Sequence, residues 1–353
     1  MAHLKTIALL TALWVFPMAA PGWSGQAEEA LNEGLKLHDA GKPKEAIREY
    51  DRALKANPKL ADAYFNRGNA YYDLGQNDQA IKDYSEVIRL APKDAEAYYN
   101  RGNAYRRLKR DEAALKDYTA AIKLSPEEAK NYVNRGSIHF DTRQYDAAVK
   151  DFSEAIRIIP KDANNYYNRG NSYLALDKND EAIKDYDQAV SLDAKFAAAY
   201  YNRGIAYASL GKQEKAIDDF GETIQQQPKN ADAYYNRGLA NAKLGKTEAA
   251  IEDYSESIRL DPKDPEAPYN RGLAYLRVEK YEYAARDFSE TIRIQPRNTE
   301  AYVYRGITRL YQGKEKEAEL DFQKAFQLNP GLKKKIQPII DEAKSKAKGS
   351  PRE

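Results

Sequence analysis

The sequence has no cysteine and only three histidines in 353 residues. The absence of cysteine excludes disulfides, thiolate catalysis, iron–sulfur clusters, Cys-ligated zinc and a lipid-modified N-terminal cysteine. The histidines, His3, His38 and His139, are too few for a His-rich metal site. The sequence also lacks a nucleophile motif, a glycine-rich phosphate loop and the spacing of a zinc site. We therefore expect no catalytic residue, no metal and no cofactor, and we do not expect an enzyme.

An excess of charge of one sign is missing as well. Lys and Arg number 56 and Asp and Glu number 54, which gives a net charge of +2. Proteins that bind nucleic acids or anionic membranes generally carry a large basic excess, so we expect neither as a partner. Tyrosine is abundant by contrast, with 28 residues, whereas both tryptophans and both methionines lie within the first 23 residues.

The N-terminal segment has the three parts of a secretory signal peptide. A short basic stretch, 1–5, precedes an apolar run, 6–20, that is shorter than the roughly 20 residues of a bilayer-spanning helix. Small residues follow, and cleavage is predicted after Ala27, with a site after Ser24 as the second choice. The sequence thus predicts a signal peptide over 1–27, a periplasmic or secreted mature protein, and contact with a membrane only during export. An uncleaved N-terminal membrane anchor and a core helix are the alternatives.

A phrase typified by AYYNRGNAY recurs every 34 residues, in nine copies without an insertion. Position 8 of each copy is Gly, position 20 is Ala and position 24 is Tyr or Phe. Positions 20, 21, 24 and 28 share one helical face, positions 4, 8 and 11 mark another helix, and Gly at 15 and Pro at 32 are typical of helix ends. Each copy therefore predicts two antiparallel helices that are stable only when stacked on neighbouring copies. The copies, called repeats 1 to 9, start near residues 27, 61, 95, 129, 163, 197, 231, 265 and 299.

The small residues at positions 8 and 20 predict a close approach of the two helices. We expect the glycine of one helix to face the alanine of the other, with the position-24 ring filling the space beside them. Acidic or amide residues such as Asp94, Asp162 and Asn230 are predicted N-caps of the next first helix.

Arg at position 7 and Asp at position 23 occur together in repeats 2 to 9, and both are Glu in repeat 1. This co-occurrence predicts a partly buried, structural ion pair that joins the two helices of a repeat. The alternative is an arginine that points at an anionic ligand.

The combination of Tyr at 4, Gly at 8, Tyr at 11, Ala at 20, Tyr or Phe at 24 and Pro at 32 resembles the tetratricopeptide repeat (TPR) family over residues 27–332. The resemblance implies an all-α fold, a right-handed α-solenoid (superhelix) of nine helix pairs over 28–332. First helices would line a concave groove and second helices would form the convex side. Family members are mostly scaffolds that bind proteins or peptides.

Residues 331–353 break the repeat pattern, and 333–353 are predicted to form a capping helix and a basic tail. An apolar stripe there predicts a capping helix that seals the last repeat, bent near Pro338 and followed by a basic tail. The stripe consists of Leu332, Ile336, Ile339 and Ile340.

Position 6 is Asn in eight of the nine repeats. In a helix pair of the TPR kind, we expect positions 2, 5, 6, 9, 12 and 13 of the first helix to face the concave groove, so these asparagines should line it. Asn is a mediocre residue for a helix interior, so the repeated amide is expected to have a use. An amide both donates and accepts hydrogen bonds and can pair with the backbone of an extended chain, as asparagine ladders do in certain TPR proteins. The alternative is that each amide bonds within the scaffold, between adjacent repeats. The predicted peptide-binding asparagines are Asn66, Asn100, Asn134, Asn168, Asn202, Asn236 and Asn270.

Position 5 is mostly aromatic, which suits a recognition surface, although packing between repeats is the alternative. Position 9 is polar in repeats 2 to 5 and apolar in repeats 6 to 9. We expect a groove that is polar in its N-terminal half and apolar in its C-terminal half, unless the apolar residues contact neighbouring helices. The predicted peptide-binding tyrosines are Tyr99, Tyr167, Tyr201, Tyr235 and Tyr269.

One TPR subtype holds a C-terminal carboxylate with a clamp of Lys, Arg and Asn. Asn69, Asn100 and Lys130 match parts of this clamp. Phe65 and Asn134 stand where the clamp needs cations, so we do not expect it here.

Together these features predict a non-enzymatic, exported scaffold that binds a protein or extended peptide in the concave groove. The alternative is an accessory subunit of an envelope enzyme or assembly complex that binds a folded partner through the convex face or the ends. A self-assembling structural protein is a third possibility.

Overall fold

The computed structural model describes residues 24–349 of the chain, and side chains over 25–346. Most of the predicted signal peptide and the end of the predicted basic tail therefore lie outside the described residues. Over the described part the fold is all-α, with nineteen helices and no strand. The chain divides into two compact bodies, an N-terminal body that ends at Ile138 and a C-terminal body that begins at His139. No helix between Ser24 and Gly349 has the length and apolar character needed to cross a membrane.

Each repeat forms two helices joined by a tight turn, and within each body the paired helices are antiparallel, as predicted. The first helices are α1 (Ser24–Asp39), α3 (Ala61–Asp73), α5 (Ala95–Arg107), α7 (Ala129–Asp141), α9 (Ala163–Ala175), α11 (Ala197–Ser209), α13 (Ala231–Lys243), α15 (Glu266–Arg277) and α17 (Thr299–Tyr311). The second helices are α2 (Pro43–Ala56), α4 (Asn77–Leu90), α6 (Asp111–Leu124), α8 (Tyr145–Ile158), α10 (Asn179–Leu192), α12 (Gln213–Gln226), α14 (Thr247–Leu260), α16 (Tyr281–Ile294) and α18 (Glu315–Leu328). A last helix, α19 (Leu332–Gly349), follows them.

The turn after each first helix depends on a left-handed residue at position 15. Gly75, Gly211 and Gly245 have φ between 73 and 75° there, which confirms that glycine ends the first helix in these repeats. Glu279 occupies the same position at φ 59°, although a side chain is strained in this region. The residues with positive φ at position 15 are Gly41, Gly75, Lys109, Arg143, Asp177, Gly211, Gly245, Glu279 and Gly313.

The ends of the other helices follow the prediction in part. The side chains of Asp94, Asp162 and Asn230 accept hydrogen bonds from the first backbone N–H groups of α5, α9 and α13, so these N-caps are confirmed. Proline at position 32 was expected to stop the second helix. However, α10 ends at Leu192 in the one repeat that has Ala194 instead, so the proline is not required for this end.

Within each body, the position-8 glycine faces the position-24 ring of its own repeat, as predicted, whereas the approach of the glycine to the position-20 alanine stays a prediction. A Cβ added at Gly68 would lie 2.8 Å from Tyr84 Cε1, and a Cβ at Gly204 would lie 2.8 Å from Phe220 Cε1. Only glycine leaves room for the ring, because such an approach is far inside van der Waals contact. The position-24 rings are at most 2% exposed and form the centre of each repeat.

The Arg and Asp of positions 7 and 23 form the predicted structural ion pair. Arg203 donates from Nε and Nη2 to both carboxylate oxygens of Asp219, at 2.8 and 2.7 Å. Its Nη1 donates to Asp187 of the preceding repeat at 2.6 Å, so one guanidinium holds three helices. The Asp219 residue is 5% exposed. The same pairing occurs in Arg67–Asp83, Arg101–Asp117, Arg169–Asp185, Arg237–Asp253, Arg271–Asp287 and Arg305–Asp321.

Helix α19 caps the last repeat and packs mainly against α17. Its buried face consists of Ile336, Ile340 and Ala343, at 7%, 2% and 2% exposure. Ile339 is 51% exposed, so its place in the predicted apolar stripe is wrong. The spacing of the buried residues is that of a narrow helical face, which Ile339 does not share. The helix continues through Pro338, and a bend there stays a prediction.

Candidate peptide-binding face

All the predicted asparagines and tyrosines are half-buried and lie on the first helices. The helical period places positions 2, 5, 6 and 9 of a first helix on one side. We call these four positions, within each body, the Asn/Tyr face.

Adjacent repeats are joined by a hydrogen bond from the position-6 amide to the position-5 hydroxyl of the preceding repeat. Asn236 Nδ2 donates to Tyr201 Oη at 2.9 Å, and Asn270 Nδ2 donates to Tyr235 Oη at 3.1 Å. The predicted residues are thus brought together, and the scaffold role of the amide is observed. Equivalent bonds of 3.3 Å join Asn134 to Tyr99 and Asn202 to Tyr167.

The acceptor of the second amide N–H depends on which residue occupies position 9 of the preceding repeat. Where that position is Asn, the amide donates across the repeat boundary: Asn134 Nδ2 lies 2.9 Å from Asn103 Oδ1. Asn202 Nδ2 lies 2.8 Å from Asn171 Oδ1, and Asn100 makes a longer bond of 3.4 Å to Asn69.

Where position 9 of the preceding repeat is apolar, the amide turns back to its own helix. Asn236 Nδ2 donates to the carbonyl of Asp232 at 2.9 Å, and Asn270 Nδ2 donates to that of Glu266 at 2.9 Å. Asn66 does the same with the carbonyl of Asp62 at 2.7 Å. A backbone carbonyl only accepts, so these bonds fix which amide atom is nitrogen.

These bonds correct the expectation that each amide offers both a donor and an acceptor to a ligand. Both N–H groups of Asn134, Asn202, Asn236 and Asn270 are used within the protein. Their Oδ1 atoms accept no hydrogen bond from any side chain or backbone in residues 24–349. The Asn/Tyr face therefore offers a row of acceptors, suited to N–H donors of a bound chain.

The position-9 asparagines serve the core rather than a ligand. Tyr84 Oη donates to Asn69 Oδ1 at 2.7 Å, and Tyr118 Oη donates to Asn103 Oδ1 at 2.7 Å. The third such pair is Tyr186 and Asn171, at 2.8 Å. Asn at position 9 is thus the partner of the core ring in repeats 2, 3 and 5, whereas repeat 7 has Leu239 beside Tyr at position 24. The sequence held this signal, because Asn at position 9 occurs only in repeats with Tyr at position 24.

The position-5 rings have one side in the core and one side at the surface. Tyr201 packs on Phe220 and Tyr235 on Tyr254, with ring centroids 5.8 and 6.0 Å apart. Tyr99, Tyr167 and Tyr269 pack on their own position-24 rings in the same way, at 5.9 to 6.1 Å. Both interpretations of position 5 thus hold in part, because each ring packs in the core and is still half-exposed.

A row of carboxylates at position 2 of repeats 7 to 9 belongs to the same face and was not singled out from the sequence. Tyr269 Oη donates to Glu300 Oε2 at 3.2 Å. Burial, and then Glu266, raises the pKa of Tyr235 to about 12. Burial and Asp232 likewise raise the pKa of Tyr201. Each tyrosine is thus close to the position-2 carboxylate of the following repeat.

Other predicted candidates are placed as follows. Asn168 is half-buried at position 6 of repeat 5, and its side chain makes no hydrogen bond within the described residues. Lys130 Nζ lies 3.0 Å from both carboxylate oxygens of Glu96, so it is not free to act in a carboxylate clamp. No cluster of His, Asp and Glu in the described part could hold a metal ion.

Models of one family match most of the chain. Models described as TPR repeat match residues 34–75, 68–109, 136–177, 170–211 and 206–245. Models described as tetratricopeptide repeat match 95–128, 231–264 and 269–332. The chain belongs to the tetratricopeptide repeat family. Proteins with this fold are generally scaffolds that bind other proteins or peptides.

Solved TPR structures are similar to the chain. The C-terminal part of a TPR repeat-containing protein from Cytophaga hutchinsonii is 18% identical with a TM-score of 0.61, covering 68% of this chain and 98% of that one. A tetratricopeptide repeat protein from Parabacteroides merdae is 20% identical with a TM-score of 0.51, covering 70% and 98%. YrrB, described as a TPR protein with an unusual peptide-binding site, is 25% identical with a TM-score of 0.48, covering 56% and 97%. The first two likenesses show the fold. No curated protein matches the chain.

Proposed function

We propose that this TPR protein is an exported, non-enzymatic scaffold that binds a protein or extended peptide segment along the Asn/Tyr face. The observation that carries the proposal is the set of position-6 amides whose N–H groups are both fixed by the scaffold and whose Oδ1 atoms have no partner in the described residues, namely Asn134, Asn202, Asn236 and Asn270. The neighbouring tyrosine rings are held by the same hydrogen bonds. A surface fixed in this way loses little side-chain entropy on binding.

The chemistry of the face favours an extended backbone. Peptide N–H groups would donate to the Oδ1 atoms, and ligand side chains would pack against the half-exposed tyrosine rings. Hydrogen bonds to the backbone do not depend on side-chain sequence, so the amides would supply affinity and the rings and flanking charges would supply selectivity.

The test is a triple substitution in the C-terminal body, Asn202→Ala, Asn236→Ala and Asn270→Ala. The probe is the tightest-binding member of a random library of extended peptides. We expect at least about a tenfold loss of affinity, since three acceptors at ~0.5 kcal/mol or more each would be removed. Circular dichroism and the urea midpoint establish that the variant is folded.

A control variant places two changes on a second helix instead. Glu248 and Glu252 on α14 are exposed, and the double change to Ala should leave affinity unaltered. If the control weakens binding and the triple variant does not, the partner binds the second helices, as an accessory subunit would.

Export is tested by isolating the protein from its native compartment and sequencing its N-terminus. Cleavage after Ser24 or Ala27 removes both tryptophans, Trp14 and Trp23, so near-UV absorbance of the mature protein would come from tyrosine alone. Ala27 is 1% exposed and lies within α1, so cleavage after it would remove the first residues of this helix. A cytoplasmic protein that retains its first residues would contradict export.

A further inference from the structure

The C-terminal body has two places where a half-buried tyrosine is flanked by acidic residues at position 2 of its own repeat and of the next. Tyr235 has Asp232 at position 2 of its own repeat and Glu266 at position 2 of the next. Tyr269 is likewise bracketed by Glu266 and Glu300. All three carboxylate residues are exposed. We call these two places the acidic ring sites.

The N-terminal body shows what such a place holds when a cation is available. Tyr99 has Glu96 at position 2 of its own repeat and Lys130 at position 2 of the next. Lys130 Nζ lies 4.6 Å from the centre of the Tyr99 ring and 3.0 Å from both oxygens of Glu96. A ring face and a carboxylate together attract an ammonium group by cation–π and ionic interactions.

The acidic ring sites have the ring and carboxylates but lack the lysine. In the described part of the chain, Asp232, Glu266 and Glu300 form no salt bridge with any Lys or Arg. Lys243 and Arg277 are at position 13 of α13 and α15, about 16 Å along the helix from position 2. Position 9 of the same helices is the half-buried, apolar Leu239 in α13 and Leu273 in α15.

We propose that the acidic ring sites bind a basic segment of a partner protein, with Lys or Arg side chains over the rings of Tyr235 and Tyr269. The proposal rests on the proposed function, because it names the chemistry of the segment that the Asn/Tyr face takes. Charge complementarity selects this occupant: each ring would place one ligand cation between two carboxylates that form no salt bridge within the described residues.

The spacing of the sites sets the sequence of the ligand. Packed helices lie about 10 Å apart, and adjacent first helices carry one ring each. An extended polyproline II chain advances about 9 Å in three residues and returns to the same face. The ligand is therefore a segment with basic residues at i and i+3, and apolar residues between them can reach Leu239 and Leu273.

First-turn carboxylates also stabilise their own helices through the helix dipole, so a matched control is needed. Glu248 is an exposed, first-turn carboxylate of α14, outside the Asn/Tyr face. Glu248→Gln removes the same charge from the same kind of helix position. Glu266→Gln is the test variant because Glu266 belongs to both acidic ring sites.

The probe is the peptide acetyl-Pro-Lys-Leu-Pro-Lys-Leu-Pro-amide, measured by isothermal titration calorimetry against versions with both lysines replaced by norleucine or by glutamate. The lysine peptide should bind tightest to the wild-type protein and weaken as salt is added. Glu266→Gln should weaken it about fivefold, while Glu248→Gln should leave it unchanged. Glu266→Lys should weaken it further, since the new lysine would occupy the Tyr235 ring as Lys130 occupies Tyr99.

Three results would overturn the inference. Equal binding of the lysine and norleucine peptides would show that the face takes peptides without selecting cations, and the proposed function would stand. Equal effects of Glu266→Gln and Glu248→Gln would place the cation elsewhere. Failure of all three peptides to bind also overturns this inference, and the library measurement then decides the proposed function separately.

Discussion

Replacing Tyr50 by Phe is expected to stabilise the protein, whereas the same change at Tyr84 is expected to destabilise it. Tyr50 is 0% exposed, and its Oη has no hydrogen-bond partner within the described residues. Tyr84 occupies the same position in repeat 2, where its Oη donates to Asn69 at 2.7 Å. Repeat 1 has Leu35 in place of that asparagine. Burial raises the pKa of Tyr50 to about 12, as expected for a hydroxyl shielded from water.

The magnitudes follow from these environments. A buried hydroxyl without a partner costs about 1–3 kcal/mol, so Tyr50→Phe should raise the free energy of unfolding by about 1–2 kcal/mol. Four repeats already have Phe at position 24, so the smaller ring fits this core. Tyr84→Phe loses one hydrogen bond and leaves Asn69 with only the 3.4 Å bond from Asn100. Its cost should be about 1 kcal/mol.

The assay is urea unfolding of both variants, followed by far-UV circular dichroism. Hydrogen exchange of α2 and α4 accompanies it, because repeat proteins unfold in parts. Each variant loses one tyrosine hydroxyl at position 24. The sign of the change in the free energy of unfolding is therefore the decisive quantity. A Tyr50→Phe variant that is less stable than the wild type, to the same extent as Tyr84→Phe, would refute the assignment of an unpaired hydroxyl.

The remaining predictions concern the ion pairs, the turns and alkaline pH. Asp185→Ala should lower the free energy of unfolding by about 3–5 kcal/mol, because it leaves the partly buried Arg169 with the hydroxyl of Ser153 but no carboxylate; a loss below about 1 kcal/mol in chemical denaturation would contradict this. Glu279→Gly should stabilise the left-handed turn by about 1 kcal/mol, and Gly211→Ala should destabilise its turn by a similar amount; thermal unfolding of the pair would show opposite shifts. A tyrosine whose folded pKa is raised above the usual ~10 contributes stability that is present below pH ~10 and lost as pH rises. For Tyr50 this loss should occur between pH ~10 and about 12, so the stability advantage of Tyr50→Phe should grow over that interval in a pH series of urea midpoints.

The sequence was sufficient to predict the helix pairs because similar residue types recur at the same positions in every repeat. Nine copies in register show which positions are glycine, alanine or aromatic, and these sizes dictate how two helices pack. The charge pair of positions 7 and 23 was also predictable, since both residues change together in repeat 1. What the pattern did not reveal was how close the ring lies to the glycine: a Cβ added at Gly68 would lie 2.8 Å from Tyr84 Cε1.

The sequence predicted which residues form the candidate site but not which hydrogen bonds they make. The sequence identified the asparagine and tyrosine rows, yet an amide can donate in several directions and its neighbours decide which. Asn236 turns to its own helix because Ile205 offers no acceptor, whereas Asn202 bonds to Asn171. Such choices depend on pairs of positions in adjacent repeats, which one repeat read alone does not contain. The prediction that Ile339 belongs to the buried stripe was wrong because α19 buries a narrower helical face than the positions of its apolar residues suggest.

The most direct test of peptide binding on the Asn/Tyr face is site-specific photo-crosslinking. Benzoylphenylalanine would replace Tyr201 or Tyr235 on the Asn/Tyr face and, as the control, Glu252 on α14. Each protein would be irradiated with a pool of random extended peptides. The account predicts peptide adducts at 201 and 235 and none above background at 252. Adducts at 252 without adducts at the tyrosine positions would contradict it.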